Sequence, residues 1–274
     1  MQNKHDVMRE SSEVGFNPLR RSGLMAALAA PWLAPWAAQV QSLVRIKIAA
    51  ASNMKFVLAD LVSQYRQQTG VQVDVNLGAS GNLARQILQG LPVDQFISAD
   101  EVWVAELDKA GRTMDAGQRY ATGRLALVVP KNSALPLGQG LAAVVRALKP
   151  GDKFAIANPA LAPYGVAAVE ALQRAGVGAL TTKHKVLGDN IGQATQFVAT
   201  GASQAGITAL ALAQAPEIAH RLQVLPLPAE LHAPLHQRMV LLKGAGAAAA
   251  DWHRFLLSPT AQAVIVRHGY ALPQ

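Results

Sequence analysis

Residues 46–53 read Ile46-Lys47-Ile48-Ala49-Ala50-Ala51-Ser52-Asn53, an apolar strand that leads directly into the start of a helix. The helix is indicated by apolar residues at the i, i+3, i+4 and i+7 spacing of one helical face, namely Leu58, Leu61, Val62 and Tyr65. Because the hydrophobic period changes within a few residues, the pattern predicts a strand–helix unit with its helix over about residues 54–69.

The same arrangement returns twice further along the chain. Residues 71–75 alternate as a strand, and Gly78-Ala79-Ser80-Gly81-Asn82 leads from it into a second helix that ends near Gly90. A third strand is predicted over residues 94–98 and a third helix over residues 101–110. Repeated strand–helix units predict parallel pairing in a right-handed α/β sheet.

Two serine-containing turns, at Ser52 and Ser80, follow neighbouring predicted strands. Each would place a hydroxyl and free backbone N–H groups at a helix N-terminus, where partial positive charge gathers. Two such termini side by side form a site for a small anion without any lysine or arginine. The alternative for each turn alone is a helix cap, since serine is a preferred capping residue. Their equivalent places in adjacent units favour the shared site.

The second half of the chain continues the alternation of strands and helices. Strands are predicted at residues 125–129 and 154–157, followed by a loop over residues 158–165 and a helix over residues 166–175. Another helix opens at Gly188-Asp189-Asn190-Ile191.

Composition excludes several classes of protein. The chain has 274 residues, of which 51% are hydrophobic and 15% charged, so it can bury the core of one large or two modest domains. It has no cysteine, which excludes a disulfide, a thiolate metal site and a cysteine nucleophile. The formal net charge of +8 favours anionic ligands, but the basic residues are scattered, so we expect no nucleic-acid partner.

An export signal is predicted over residues 1–41. Arg20 and Arg21 precede the apolar, alanine-rich residues 26–38, a pattern typical of a twin-arginine signal that is removed after export. The apolar segment is too short for a comfortable transmembrane helix. The mature chain is therefore expected in the periplasm.

The sequence motifs give little support for a catalytic site or a metal site. Ser80 does not lie in the Gly-x-Ser-x-Gly turn of hydrolases, although an exported serine hydrolase that uses Ser80 remains an alternative of a different class. His232 and His236 have the spacing of metal ligands on a helix, but Pro234 between them argues against that helix. Three further histidines are expected at the surface, namely His220, His253 and His268.

Three motifs together resemble the periplasmic molybdate-binding proteins of ABC transporters. They are Ala49-Ala50-Ala51-Ser52-Asn53, Leu83-Ala84-Arg85-Gln86-Ile87 and Asp94-Gln95-Phe96-Ile97-Ser98-Ala99-Asp100. The ending from Ser258 to Tyr270 is also similar to that family's C-terminus, so the resemblance covers nearly all of the chain from Val44.

The resemblance implies two α/β lobes, each a mostly parallel sheet flanked by helices, with an oxyanion buried in the cleft between them. The first lobe would comprise residues 42–122 and 234–274, and the second residues 123–233. It also implies five contacts to the anion: the hydroxyls of Ser52 and Ser80, the side chain of Asn53, and the backbone N–H groups of Tyr164 and Ile191. Many members supply a further tyrosine hydroxyl where this chain has Ala209.

The function implied is a monomeric solute-binding protein that delivers molybdate or tungstate to an ABC transporter permease in the inner membrane. It would be no enzyme, would need no cofactor and would hold the oxyanion without direct metal ligation. Donors alone suit an anion that carries no proton, whereas phosphate needs an acceptor, for which Asp189 is the nearby candidate. A sulfate-binding protein of the same fold, or the sensing domain of a regulator, are the remaining alternatives.

Overall fold

A computed structural model describes residues 44–273. The predicted export signal over residues 1–41 lies outside this part of the chain. Among the helices that are described, none is both long and apolar enough to cross a membrane.

Strands and helices alternate along most of the described chain. The strands are β1 (Arg45–Ala51), β2 (Gln72–Gly78), β3 (Gln95–Ile97), β4 (Gln118–Gly123), β5 (Leu125–Pro130), β6 (Phe154–Ala157), β7 (Lys185–Gly188), β8 (Ala205–Ala209), β9 (Leu222–Pro226) and β10 (Leu235–Leu241). The helices are α1 (Lys55–Thr69), α2 (Ser80–Leu88), α3 (Val102–Lys109), α4 (Leu141–Arg146), α5 (Pro163–Arg174), α6 (Gly178–Thr181), α7 (Ile191–Ala199), α8 (Leu210–Ala213), α9 (Pro216–Ala219), α10 (Ala247–Leu256) and α11 (Pro259–Arg267). Short 3-10 turns cover Ser52–Met54, Leu137–Gln139 and Ala229–Leu231.

Two five-stranded sheets organise these elements. The first has the order β2-β1-β3-β10-β4 and the second the order β7-β6-β8-β5-β9. We call the first sheet with its helices the first lobe and the second sheet with its helices the second lobe. The predicted strand–helix units are confirmed by the parallel pairs of β1 with β2 and with β3.

Each sheet is mixed, with four strands in one direction and a single strand against them, so the expected mostly parallel sheets are confirmed. In the first sheet β10 is antiparallel to β3 and β4, and in the second β5 is antiparallel to β8 and β9. On these two strands the chain arrives from the other sheet, without the strand–helix–strand crossover that parallel neighbours require. β4 and β9, which the sequence patterns do not predict, are the strands on which the chain leaves each sheet.

The core of the first lobe lies between its sheet and a layer formed by α1, α10 and α11. Leu58 and Leu61 of α1 are buried with Trp252 of α10 and Ile265 of α11 in one apolar cluster. Each such side chain contributes roughly 1.5–3 kcal/mol through burial. This packing fixes α1, and with it the turn at Ser52, against the end of β1.

The three histidines expected at the surface differ in their surroundings. His220 is exposed, and His268 is partly exposed with its Nε2 2.8 Å from Asp60 Oδ2. The prediction is wrong for His253, which is buried in α10 with its Nδ1 2.8 Å from Gln95 Nε2. Burial lowers the pKa of His253, because the charged imidazolium loses solvation there.

Candidate functional site

The two serine-containing turns lie side by side at the carboxyl ends of β1 and β2. Ala51 at the end of β1 is paired with Gly78 at the end of β2. Ser52 opens the 3-10 turn before α1, and Ser80 is the first residue of α2. Both are buried, with 7% of Ser52 and 1% of Ser80 exposed. The sheet therefore brings both hydroxyls to one edge.

Neither serine caps its helix. The residues at the capping positions are Met54 for α1 and Ala79 for α2, and in the part of the chain that the structure describes neither helix has a capping hydrogen bond from a side chain. The cap interpretation is therefore wrong for both turns, because Ser52 precedes the capping position and Ser80 follows it. Both hydroxyls are left for other partners.

Both hydroxyl oxygens accept a hydrogen bond from a backbone N–H group. Ser80 Oγ accepts from the N–H of Ala99 at 3.0 Å, and Ser52 Oγ accepts from the N–H of Gly192 at 3.3 Å. A hydroxyl that accepts in this way still has its own hydrogen to donate. The two serines are thus oriented by the backbone and remain donors.

Two helices of the second lobe begin opposite these turns. α5 begins at Pro163, three residues earlier than predicted, so that Tyr164 lies in its first turn rather than in a loop. Proline is favoured at the first position of a helix, since its missing N–H would have had no partner there. Ile191 is the first residue of α7, where the side chain of Asn190 accepts from the N–H of Gln193 at 3.0 Å.

The backbone N–H groups of Tyr164 and Ile191 donate no hydrogen bond within residues 44–273. Both residues are buried, with 1% and 3% exposed. An unpaired N–H in the first turn of a helix carries part of the positive end of the helix dipole. The second lobe therefore offers two donors to an anion.

Two glycines donate hydrogen bonds across the cleft, and a Cβ on Gly81 would lie 2.9 Å from the Leu161 carbonyl oxygen of the opposite lobe. Gly192 donates to Ser52 Oγ, and a Cβ on Gly192 would lie 3.6 Å from Ser52 Cβ. The N–H of Gly81 donates to the carbonyl of Leu161 at 2.9 Å, and a Cβ on Gly81 would overlap Trp103. The turns of the first lobe are thus held directly against the segments that begin α7 and α5.

Asn53 has a different place from that of the two serines. Its Nδ2 donates to Gln237 Oε1 at 3.0 Å and to the hydroxyl of Tyr270 at 2.8 Å, so both of its amide hydrogens are engaged. Its Oδ1 is buried and has no partner in the part of the chain that is described. No short motif predicts Gln237 as a partner, and Tyr270 belongs to the C-terminal stretch that contributes to the resemblance.

The site is electrically neutral at its centre. Ser52, Asn53, Ser80, Tyr164 and Ile191 carry no formal charge, and burial raises the pKa of the Tyr164 hydroxyl well above its usual range. Asp189, the candidate acceptor for a protonated anion, is exposed. None of the five predicted contact residues therefore brings a carboxylate to the site.

An open cavity of about 240 Å³ lies beside Ser52. It is lined from the first lobe by Lys55 and Phe56 and from the second by Asn190 and Thr195. Of the described residues that line it, Lys55 is the one with a formal charge, and its Nζ lies 5.1 Å from the centre of the Phe56 ring. The approach to Ser52 is therefore apolar and weakly positive.

The other candidates for catalysis and metal binding have the following partners. Within the described chain, Ser80 Oγ makes no hydrogen bond to a histidine. His232 Nδ1 lies 2.7 Å from the carbonyl of Ala233, and His236 Nδ1 lies 3.3 Å from Thr122 Oγ1. Residues 44–273 contain no cluster of three or more acidic, histidine or cysteine side chains that could hold a metal ion. Ala209 is fully buried in the apolar core at the end of β8.

The chain is similar to molybdate-binding proteins in sequence and in structure. The chain is 36% identical over 255 residues to the molybdate-binding protein ModA of Azotobacter vinelandii, covering 92% of this chain and 98% of the relative. It is 33% identical over 226 residues to ModA of Rhodobacter capsulatus, covering 81% of this chain and 86% of the relative. The structure of the Azotobacter vinelandii periplasmic molybdate-binding protein matches with a TM-score of 0.77 and 32% identity, over 84% of this chain and 100% of that one.

The family model of bacterial extracellular solute-binding proteins matches residues 46–271. This range contains all strands of both lobes apart from Arg45, the first residue of β1. The two mixed sheets with flanking helices are those of the two-lobe periplasmic binding fold. By its sequence and its fold, the chain belongs to the bacterial extracellular solute-binding protein family.

Proposed function

We propose that this chain is a periplasmic solute-binding protein that captures molybdate or tungstate between its lobes and delivers it to the permease of an ABC importer. The hydroxyls of Ser52 and Ser80 would donate from the first lobe, and the N–H groups of Tyr164 and Ile191 from the second. The protein would bind the oxyanion reversibly as a monomer, without catalysis and without a cofactor.

The observation that carries this proposal is the state of the two serine hydroxyls. Each oxygen accepts from a backbone N–H, and within residues 44–273 its hydrogen has no acceptor and is therefore available to an anion. Donors fixed before the ligand arrives reduce the ordering free energy that binding must overcome. Hydroxyls that served as caps or as nucleophiles would have had other partners.

The chemistry of the donors favours an oxyanion without a proton. Molybdate, tungstate and sulfate at neutral pH have acceptor oxygens only, and each can be matched by hydroxyl and N–H donors. Hydrogen phosphate carries a donor of its own, for which none of the four donating groups offers an acceptor in place of its own hydrogen. Because molybdate, tungstate and sulfate carry the same charge, the site must discriminate among them by their size.

The lobe boundaries predicted from the sequence are part of this proposal, and the membership of the two sheets supports them. Residues 42–122 and 234–274 contain the strands of the first sheet apart from the last residue of β4, and residues 123–233 contain the strands of the second sheet.

The export signal predicted over residues 1–41, of the twin-arginine type, would deliver the folded chain to the periplasm. Relatives that are named for molybdate binding match nearly the full length.

The test is a calorimetric competition on the mature chain. Molybdate is titrated into protein alone, and again into protein pre-loaded with tungstate, sulfate or phosphate at millimolar concentration. We expect tight binding of molybdate that tungstate blocks and that sulfate and phosphate weaken little. Stronger competition by sulfate than by tungstate would assign the protein to sulfate, and absence of binding by all four anions would overturn the proposal.

A further inference from the structure

Five buried side chains form a hydrogen-bond network that joins the two lobes beside the proposed anion site. They are Asn53, Tyr120, Tyr164, Gln237 and Tyr270. We propose that the bond from Gln237 to the Tyr164 hydroxyl latches the lobes in the closed state and makes Gln237 a positioning residue for the Tyr164 N–H. The inference rests on the proposed function, since it assigns a role in holding the anion.

Gln237 is the centre of the network. It lies in β10, is fully buried, and donates from Nε2 to the hydroxyl of Tyr164 at 3.0 Å. Its Oε1 accepts from the Tyr120 hydroxyl at 2.7 Å and from Asn53 Nδ2 at 3.0 Å. Because both ends of the amide have partners, its orientation is fixed. Of these partners, Tyr164 alone belongs to the second lobe.

The network connects the two halves of the anion site. Asn53 follows Ser52 directly, and its backbone carbonyl accepts from the Tyr270 hydroxyl at 3.0 Å while its Nδ2 donates to that hydroxyl at 2.8 Å. Tyr164 supplies one of the second-lobe N–H groups and is tied to the same network through its side chain. A substitution at Gln237 therefore affects contacts of residues on both sides of the cleft.

Gly123 provides the space for this contact. A Cβ on Gly123 would overlap the Tyr164 hydroxyl and lie 2.6 Å from Gln237 Nε2. Gly123 is the last residue of β4, where the chain crosses to the second lobe. Its lack of a side chain lets the two partners meet at the crossing.

Separation of the lobes would break the Gln237–Tyr164 bond and leave both groups in need of water. A bond that exists in the closed state alone stabilises that state by its full net contribution, so its loss shifts the population toward the open state. Burial raises the pKa values of Tyr120, Tyr164 and Tyr270, so all three hydroxyls stay protonated across the physiological range. The latch is therefore insensitive to pH.

The test compares two tyrosines that share Gln237. Tyr164→Phe removes the bond between lobes and keeps the backbone N–H, whereas Tyr120→Phe removes a bond to the same amide within the first lobe. Gln237→Met keeps the approximate volume but removes the Nε2 donor to Tyr164 together with the Oε1 acceptor of Tyr120 and Asn53. Gly123→Ala displaces the Tyr164 hydroxyl. For each variant, molybdate association and dissociation rates are measured by stopped-flow tryptophan fluorescence, and the free energy of unfolding by denaturant.

We expect Tyr164→Phe, Gln237→Met and Gly123→Ala each to raise the molybdate dissociation rate about tenfold, with association rates within about twofold of wild type. The double variant Tyr164→Phe/Gln237→Met should dissociate no faster than the faster single variant, since each substitution alone already removes the bond between the lobes. Tyr120→Phe should lower the free energy of unfolding as much as Tyr164→Phe but raise the dissociation rate less than about threefold.

Equal dissociation rates for Tyr120→Phe and Tyr164→Phe would overturn the latch, because the network would then act through stability alone. Dissociation from Tyr164→Phe at the wild-type rate would also overturn it. Failure of the wild-type protein to bind molybdate, tungstate or sulfate would instead overturn the proposed function, and the latch with it.

Discussion

The two halves of the proposed anion site are made from different atoms. The first lobe contributes the side-chain hydroxyls of Ser52 and Ser80, and the second contributes the backbone N–H groups of Tyr164 and Ile191. Side-chain donors depend on which residue occupies a position, whereas backbone donors depend on where a helix begins. Substitutions must therefore probe the two halves by different means.

The largest effect is expected from removing the first half. The double variant Ser52→Ala/Ser80→Ala deletes both hydroxyls and should weaken molybdate binding at least about 100-fold, because a hydrogen bond to a charged group contributes roughly 1.5–3 kcal/mol. Isothermal titration calorimetry measures the change directly.

Ser203→Ala is the matched control for the double serine variant. Ser203 is also a buried serine, 1% exposed, in the turn between α7 and β8. The Ser203→Ala variant should bind molybdate with the affinity of the wild-type protein. Unchanged affinity in the double serine variant would remove the first lobe's hydroxyls from the site.

The second half can be probed with a proline. Ile191 is the first residue of α7, where proline is tolerated, and Asn190 before it is extended at φ −146° and ψ 173°, as a residue before proline prefers. Ile191→Pro therefore deletes one N–H while keeping the helix start. We expect molybdate affinity to fall about tenfold or more below that of Ile191→Ala, which loses the same buried side chain but keeps the N–H.

Equal affinities for Ile191→Pro and Ile191→Ala would show that this N–H does not contact the anion. Circular dichroism and thermal unfolding of both variants check that α7 still forms. Together with the double serine variant, these variants show whether the hydroxyls or the N–H groups contribute more to the free energy of binding.

The contrast between the halves also explains what could be predicted from the sequence. The serine turns were predictable because a short motif at a strand–helix junction fixes both the place and the chemistry of its hydroxyl. The start of α5 is predicted three residues late, because the predicted loop over residues 158–165 includes Pro163, which occupies the first helical position. The partners of Asn53 were not predictable, because Gln237 and Tyr270 lie 184 and 217 positions away.

A smaller effect is expected at the mouth of the cleft, where the halves meet. Lys55 is the charged residue among those described around the cavity beside Ser52. Lys55→Gln should slow molybdate association about two- to fivefold at low ionic strength, because an exposed cation raises the local concentration of a dianion. Stopped-flow association rates at increasing salt provide the measurement, and the difference should vanish as screening becomes complete.

Lys109→Gln serves as the control, since Lys109 is exposed at the C-terminal end of α3 and does not line that cavity. An equal slowing in both lysine variants would indicate an effect of net charge rather than of position. The dissociation rate should be unchanged in either case.

The smallest effect on binding is expected from an acid-sensitive cluster in the first lobe. Hydrogen bonds from Arg119, together with those from Arg238, lower the pKa of Glu101 to about 2. Because this folded-state value lies below the usual 4.5, the stabilisation is present above pH 4.5 and is lost as the pH falls toward 2. Glu101→Gln should lower the unfolding temperature at pH 7 and flatten its decline in acid.

Molybdate affinity of Glu101→Gln should stay within about twofold of wild type at pH 7, because the cluster lies outside both halves of the site and surface ion pairs contribute little beyond their own contacts. Calorimetry and thermal scans on the same samples separate the two quantities. A large loss of affinity would mean that this cluster, rather than the donors, sets the geometry of the cleft.

The most direct test of the account is a crystal structure of the mature protein with molybdate, located by anomalous scattering at the molybdenum edge. The account predicts one anomalous peak between the lobes, with oxyanion atoms in hydrogen-bond contact with the hydroxyls of Ser52 and Ser80 and the N–H groups of Tyr164 and Ile191. A peak held by one lobe alone, or held by a lysine or arginine side chain, would contradict it.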